Sequence, residues 1–227
     1  MSERLETTEL RRADALRVLI VDDHDLFRTG LRSLLEEQGV QVIGEAAAGS
    51  EALEIVRESA PDVVVMDLNM PGMGGIEATR QITSTAPLTR VVVLTISDAD
   101  GDVMDAILAG ACGYLLKDSS IQELMAGIHA AAVGDSLISP HVASKVLQRV
   151  RATSTLSGAA ETIRAELSDR EIEVLKLIAN GKDNADIAGE LHISPKTVKN
   201  HISHILAKLQ IDNRIQAAVY AVRSGIV

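Results

Sequence analysis

The chain has 227 residues, 46% hydrophobic and 24% charged, with a formal net charge of −10; this is a soluble composition with room for two domains. Its single cysteine, Cys112, excludes an internal disulfide and fits a reducing compartment, and no stretch approaches the roughly 18 apolar residues of a membrane span. The charge is uneven: residues 1–150 hold 12 Lys+Arg against 23 Asp+Glu, and residues 151–227 hold 10 against 9, which separates an acidic module from a nearly neutral one.

The opening "MSERLETTELRRADAL" lacks an apolar signal core and reads as a polar extension over 1–16, so a cytoplasmic location is expected. Five apolar runs follow: "RVLIV" (17–21), "QVIGEA" (41–46), "DVVVMD" (62–67), "RVVVLT" (90–95) and "GYLLK" (113–117). Amphipathic stretches such as "DLFRTGLRSLLEEQG" and "SSIQELMAGIHAAAVG" separate them. That alternation predicts an α/β doubly wound, five-stranded parallel sheet over 17–134, with helices on both faces. Ligands bind such sheets beyond the carboxyl ends of the strands.

Chemistry-bearing residues stand at those ends. Strand 1 runs into Asp22-Asp23, strand 3 into Asp67, strand 4 ends on Thr95 and strand 5 on Lys117. Three carboxylates at one edge repel unless a cation relieves them, and a hard ion with few protein ligands suits Mg2+. The hydroxyl and ammonium remain as donors to an anion, which makes Asp67 the natural nucleophile of a phosphoryl site. Taken singly, each residue has a plainer role: a strand-end Asp forms turns, Asp22-Asp23 can cap a helix, and Lys117 can be a solvated surface lysine. Five such placements at one edge outweigh those readings. His24 is read as a helix-start residue rather than a ligand, and Cys112 as a small packing residue. "GMGG" (72–75) follows strand 3 and lacks the spacing of a dinucleotide fingerprint.

After Val133, "GDSLISPHVASKVLQRVRA" reads as a short extended piece and a helix from about Pro140, and "TSTLSGAAETIRAE" as a linker, together 135–166. A helical module occupies 167–227. Ser168 and Glu171 make a capping box with Leu167 and Ile172 as its staple, Gly181 stops the helix, and a short second helix begins near Asn184. After the turn, Ser194 caps and Pro195 opens a third helix; a fourth spans about Asn213 to Ser224. In the third helix Val198, Ile202, Ile205, Leu206 and Leu209 form the apolar stripe. Lys196, Lys199, Asn200 and Ser203 fall on the other side, with no acid between Pro195 and Gln210. A cationic helix after a short helix and tight turn is a helix-turn-helix arrangement. Short donors such as Lys and Asn on that face can reach base edges, and Thr197, Asn184, Lys208 and Arg214 can contact phosphates. Tyr220, the single aromatic of this half, argues against base stacking.

"LIVDDHDLFRTGLRSLL", "PDVVVMDLNMPGMGGIEATRQI", "VVVLT" and "GACGYLLKDSS" resemble the receiver domain of two-component response regulators, from about Arg17 to Val133. The resemblance implies that Asp67 takes a phosphoryl group from a sensor histidine kinase. It implies Mg2+ on Asp23, Asp67 and the Asn69 carbonyl, with Asp22 nearby through water. Lys117 would pair with the phosphoryl group, while Thr95 and Tyr114 act as switch residues, Tyr114 swinging inward. The receiver would then promote transfer to Asp67 and its hydrolysis without being a classical enzyme. Residues 167–227 are similar to the LuxR-type DNA-binding domain, and the pair of modules to the NarL/FixJ group. That implies double-stranded promoter DNA as partner, with Lys199, Asn200 and Ser203 reading bases, and a homodimer when active, with Ile215, Val219, Val222 and Ile226 either forming its seam or closing the four-helix core. Two positions depart from the family pattern: Gln210 stands where Gly is common, and Lys182-Asp183 replaces a small-polar pair. One alternative is a DNA binder whose receiver is only a scaffold. A Mg2+-dependent aspartyl-phosphate phosphatase is disfavoured, because Asn69 stands where an acid would protonate the leaving group.

Overall fold

The computed structural model describes residues 15–97, 99–138 and 167–227. Most of the expected N-terminal extension, the helix from about Pro140 and the linker lie outside the described residues. Contacts divide the chain into two compact units: the chain up to Ser97 with Gly113–Leu137, and Asp98–Cys112 with Ile138–Val227.

The sheet contains β1 (Arg17–Val21), β2 (Gln41–Ala46), β3 (Val63–Met66), β4 (Arg90–Thr95), β5 (Gly113–Leu116) and β6 (Leu137–Ile138), in the order β2-β1-β3-β4-β5-β6. Each of the first five was legible as an apolar run because strands covered on both faces need no polar alternation. These five pair in parallel through β1–β2, β1–β3, β3–β4 and β4–β5. The short extended piece after Val133 becomes β6, so the expected five-stranded sheet gains a sixth, two-residue strand. Helices α1 (Asp25–Glu37), α2 (Gly49–Ser59), α3 (Gly75–Thr85), α4 (Asp100–Leu108) and α5 (Ile121–Ala132) alternate with the strands.

Register fixes which strand ends meet. Val21 stands opposite Met66 and Thr95 opposite Leu116, so the residues that follow, Asp22 beside Asp67 and Lys117 beyond Thr95, share one edge. The pairing continues past the strands: Asp67 N–H donates to Val21 O at 2.8 Å and Lys117 N–H to Thr95 O at 2.9 Å. The chain leaves β1 for β2 on one side and returns to β3 on the other, which makes this edge the topological switch point.

The C-terminal residues form α6 (Asp169–Ala179), α7 (Asn184–Leu191), α8 (Pro195–Leu209) and α9 (Arg214–Arg223). The Ser168–Glu171 capping box is present in both directions. Ser194 caps α8, with Pro195 in its first turn. Asp183, one of the two departures, caps α7 by accepting from Asp186 N–H at 2.7 Å. Gln210, the other, ends α8 in the left-handed region at φ 53°, where glycine carries no Cβ penalty. Val198, Ile202, Ile205 and Leu209 of α8 are buried as expected, while Leu206 is half-buried.

The residues expected at a dimer seam are already buried within the chain. Ile215, Val219 and Val222 are 5%, 4% and 9% exposed, within the described chain; they are core residues of α9, not a free apolar stripe. Only Ile226, beyond the helix, stays half-buried. In the same unit the start of α9 is tied to the end of α4. Asn213 Nδ2 donates to Ala111 O at 3.0 Å and Gln216 Nε2 to Ile107 O at 2.9 Å. Ile107 O also accepts from Gly110 N–H at 3.0 Å, and Ala111 lies just beyond the helix end.

Candidate functional site

Asp22 and Asp67 are each 2% exposed. A carboxylate that deep must be compensated, and one cation serves both: Lys117 Nζ lies 2.6 Å from Asp22 Oδ2 and 2.9 Å from Asp67 Oδ2. The remaining oxygens accept main-chain N–H groups, Leu68 on Asp67 Oδ1 at 2.8 Å and His24 on Asp22 Oδ1 at 2.9 Å. Burial by itself lowers the Lys117 pKa, but hydrogen bonds and charge from Asp22 and Asp67 outweigh it and hold it above the ordinary lysine value.

One lysine does not balance the acids. Asp22, Asp23, His24 and Asp67 bring ligand atoms within 4.8 Å of one another. Among the described residues Asp23 Oδ1 is buried with no hydrogen bond, although His24 Nδ1 stands 2.9 Å away as an ion-pair neighbour. An unsatisfied buried oxygen among carboxylates fits a hard divalent cation, and the oxygen-rich donor set suits Mg2+.

Thr95 and Tyr114 are fully buried. Thr95 Oγ1 accepts from Ser97 N–H at 3.3 Å, and the Tyr114 hydroxyl donates to Ser97 O at 2.9 Å. Tyr114 therefore already occupies the inward position that the sequence reading reserved for the switched state. Asn69, two residues beyond Asp67, is exposed.

Three participants escaped the sequence reading. His24, set aside as a helix-start residue, does precede α1 and makes no side-chain cap bond, but its ring lies against Asp22 and Asp23. Phe27, the chain's one phenylalanine, puts its ring centroid 4.6 Å from Lys117 Nζ, a cation–π distance. Gly75 starts α3 so close to the site that a Cβ there would come 1.9 Å from Asp67 O. A signal existed for Phe27, four residues after Asp23; nothing local marks Gly75 as a point of close approach.

The second candidate surface is α8. Lys196, Lys199, Asn200 and Ser203 are exposed on one side of the helix, with Thr197 half-buried beside them. Three expected phosphate contacts already serve the fold. Lys208 Nζ lies 2.7 Å from Glu171 Oε2. Arg214 reaches Asn184 Oδ1 at 2.7 Å and also the Lys182 carbonyl, so both Asn184 and Arg214 hold α7 to α9. Glu171, 4% exposed, would be raised by burial, but Lys208 and the Ser168 N–H and hydroxyl pull its pKa down to about 2.

Among the described residues no helix is long and apolar enough to cross a membrane. Residues 18–129 match the family described as response regulator receiver domain, and residues 165–221 the bacterial regulatory proteins of the luxR family. The transcriptional regulatory protein LiaR of Bacillus subtilis is 46% identical over 93% of this chain and 99% of its own. The response regulator VraR of Staphylococcus aureus is 38% identical over the same shares. Among solved structures, the response regulator ChrA of a heme-sensing two-component system aligns with TM-score 0.51 at 37% identity, covering 94% of this chain and 99% of that one. RcsB dimers bound to DNA align with TM-score 0.56 at 26% identity, over 93% and 99%. With an acidic cluster at the strand ends of one unit and a helix-turn-helix in the other, the chain belongs to the two-component response regulators that join a receiver domain to a LuxR-type DNA-binding domain.

Proposed function

We propose that DNA binding by this regulator is switched by phosphorylation of Asp67. The observation that carries the reading is the arrangement around Asp67: a buried carboxylate at a strand tip whose one cation, Lys117, is shared with Asp22. A carboxylate oxygen of Asp67 forms the new P–O bond as the P–N bond of a sensor kinase's phosphohistidine breaks, and the released imidazole takes a proton from solvent. Asp23, Asp67 and the Asn69 carbonyl would hold Mg2+, with Asp22 beside it; when bound, it supplies positive charge to the phosphoryl oxygens. Lys117 exchanges its bond to Asp67 Oδ2 for one to a phosphoryl oxygen, and the Thr95 hydroxyl donates to another.

Thr95 ends β4 and Tyr114 lies in β5, so α4 is anchored at both ends by switch residues. Movement there loosens the Asn213 and Gln216 bonds to the end of α4 and frees α9. The regulator then pairs as a homodimer on double-stranded promoter DNA, with α8 in the major groove. Lys199, Asn200 and Ser203 read bases and Lys196 and Thr197 hold phosphates. A second reading, in which the receiver only scaffolds a constitutive binder, is favoured by the inward Tyr114.

Intact mass after incubation with Mg2+ and a small acyl phosphate separates the two. Phosphorylation predicts one phosphoryl adduct on the wild type, none on Asp67→Asn, and tighter DNA binding by the adduct. An adduct without any change in DNA affinity would leave the scaffold reading. On DNA, Lys199→Ala should cost about 1–3 kcal/mol at one base position; an equal loss on mixed-sequence DNA would make Lys199 a phosphate contact instead.

A further inference from the structure

Thr197, His201, His204 and Lys208 follow one another along α8 at spacings of four, three and four residues, which makes one continuous stripe. The stripe flanks the exposed face of Lys196, Asn200 and Ser203. Its members differ in what they are free to do. Thr197 shares a hydrogen bond with the capping Ser194 at 2.8 Å, His201 is half-buried, and Lys208 is paired with Glu171. His204 is exposed, one helical turn beyond Asn200; among the described residues no hydrogen bond or ion pair engages its ring.

We propose that His204 is a further DNA-contacting residue, which takes a backbone phosphate when its imidazole is protonated, so that affinity for DNA rises as pH falls. The inference rests on the reading that α8 enters the groove. A neutral imidazole offers one N–H, whereas the imidazolium offers two and a charge that displaces a counterion. Histidine is the side chain type whose charge changes near neutral pH, and a phosphate beside it favours the charged form. Lys208 cannot supply that charge at the same flank while Glu171 holds it.

The helices packed against α8 are α6, α7 and α9. Their charged groups are Asp169, Arg170, Glu171, Glu173 and Lys176 on α6, Asp186 and Glu190 on α7, and Arg214 and Arg223 on α9. Several are committed: Arg170 to Glu173, Glu171 to Lys208, Glu190 to Lys182, and Arg214 to Asn184. With Glu171 ionised down to a pKa of about 2, none of these pairs is dismantled in the range where a histidine titrates.

The test is the salt dependence of full-length protein binding to mixed-sequence double-stranded DNA, at pH near 8 and near 6. The wild type should bind about tenfold tighter at the lower pH, with a log–log salt slope steeper by about two for a dimer. His204→Asn should lose that difference, and His204→Lys should bind tightly at both pH values. A wild type indifferent to pH, or a response that survives in His204→Asn, overturns the proposal. Failure of every protein to bind at either pH would overturn the DNA reading of α8 as well.

Discussion

Asp67 at the tip of β3 and Glu171 in the first turn of α6 are both nearly buried carboxylates held by a lysine, at 2.9 Å by Lys117 and 2.7 Å by Lys208. Their surroundings differ in balance. Around Glu171 the account closes: the Ser168 N–H donates at 2.8 Å, its hydroxyl at 2.9 Å, and Lys208 supplies one positive charge for one negative. Around Asp67 it does not close, since Asp22 and Asp67 draw on the same ammonium and Asp23 keeps a buried oxygen without a hydrogen bond. The same pair of groups is charge-matched at Glu171 and carries surplus negative charge at Asp67. Stability and function are therefore expected to trade off at Asp67, while Glu171 serves stability alone.

The largest effect expected breaks the site's frame rather than its charges. Gly75→Ala drives a Cβ into the Asp67 carbonyl and should cost about 3 kcal/mol, the upper end for overpacking, read as a lower urea midpoint with the phosphoryl adduct lost. Glu171→Gln comes next, at about 1–2 kcal/mol, since it loses charge-assisted hydrogen bonds from Ser168 and Lys208 while the part-exposed Lys208 rehydrates. That contribution has a direction in pH. The folded pKa of about 2 lies below the ordinary carboxylate value of 4.5, so the stabilisation is complete above about pH 4.5 and disappears as pH falls toward 2. Acid titration of stability should show this loss in the wild type and a flatter profile in Glu171→Gln.

Asp67→Asn sharpens the contrast in the other direction. It should abolish the adduct yet leave the fold as stable or up to about 1 kcal/mol more stable, because it removes one of the like charges crowded on Lys117. A loss as large as that of Glu171→Gln would mean that the two lysine pairs are the same kind of strut. The smallest effect lies outside both pairs. Gln210→Gly relieves a left-handed C-cap and should add about 0.5–1 kcal/mol to thermal stability.

Much of this was legible before any coordinates. Apolar runs over 17–21 and 90–95 gave strands with those same limits, because doubly covered strands must be continuously apolar. Ser168, Glu171, Ser194 and Pro195 placed two helix starts, because capping is local chemistry. Asp22, Asp67, Thr95 and Lys117 could be assigned to one edge from parallel order alone. The seam on α9 could not be judged that way: Ile215, Val219 and Val222 have the spacing of an exposed pairing face, yet the fold buries them.

What the sequence determined by itself is whatever depends on neighbours along the chain: strand and helix periods, caps, and which residue stands at which strand end. The tertiary structure decided what depends on distance between segments. It joined Lys208 to Glu171 across 37 positions, gave Lys117 two carboxylates from two strands, and pressed Gly75 onto Asp67. Charge and space are properties of a neighbourhood in three dimensions, and a linear pattern lists candidates for that neighbourhood without saying which of them meet.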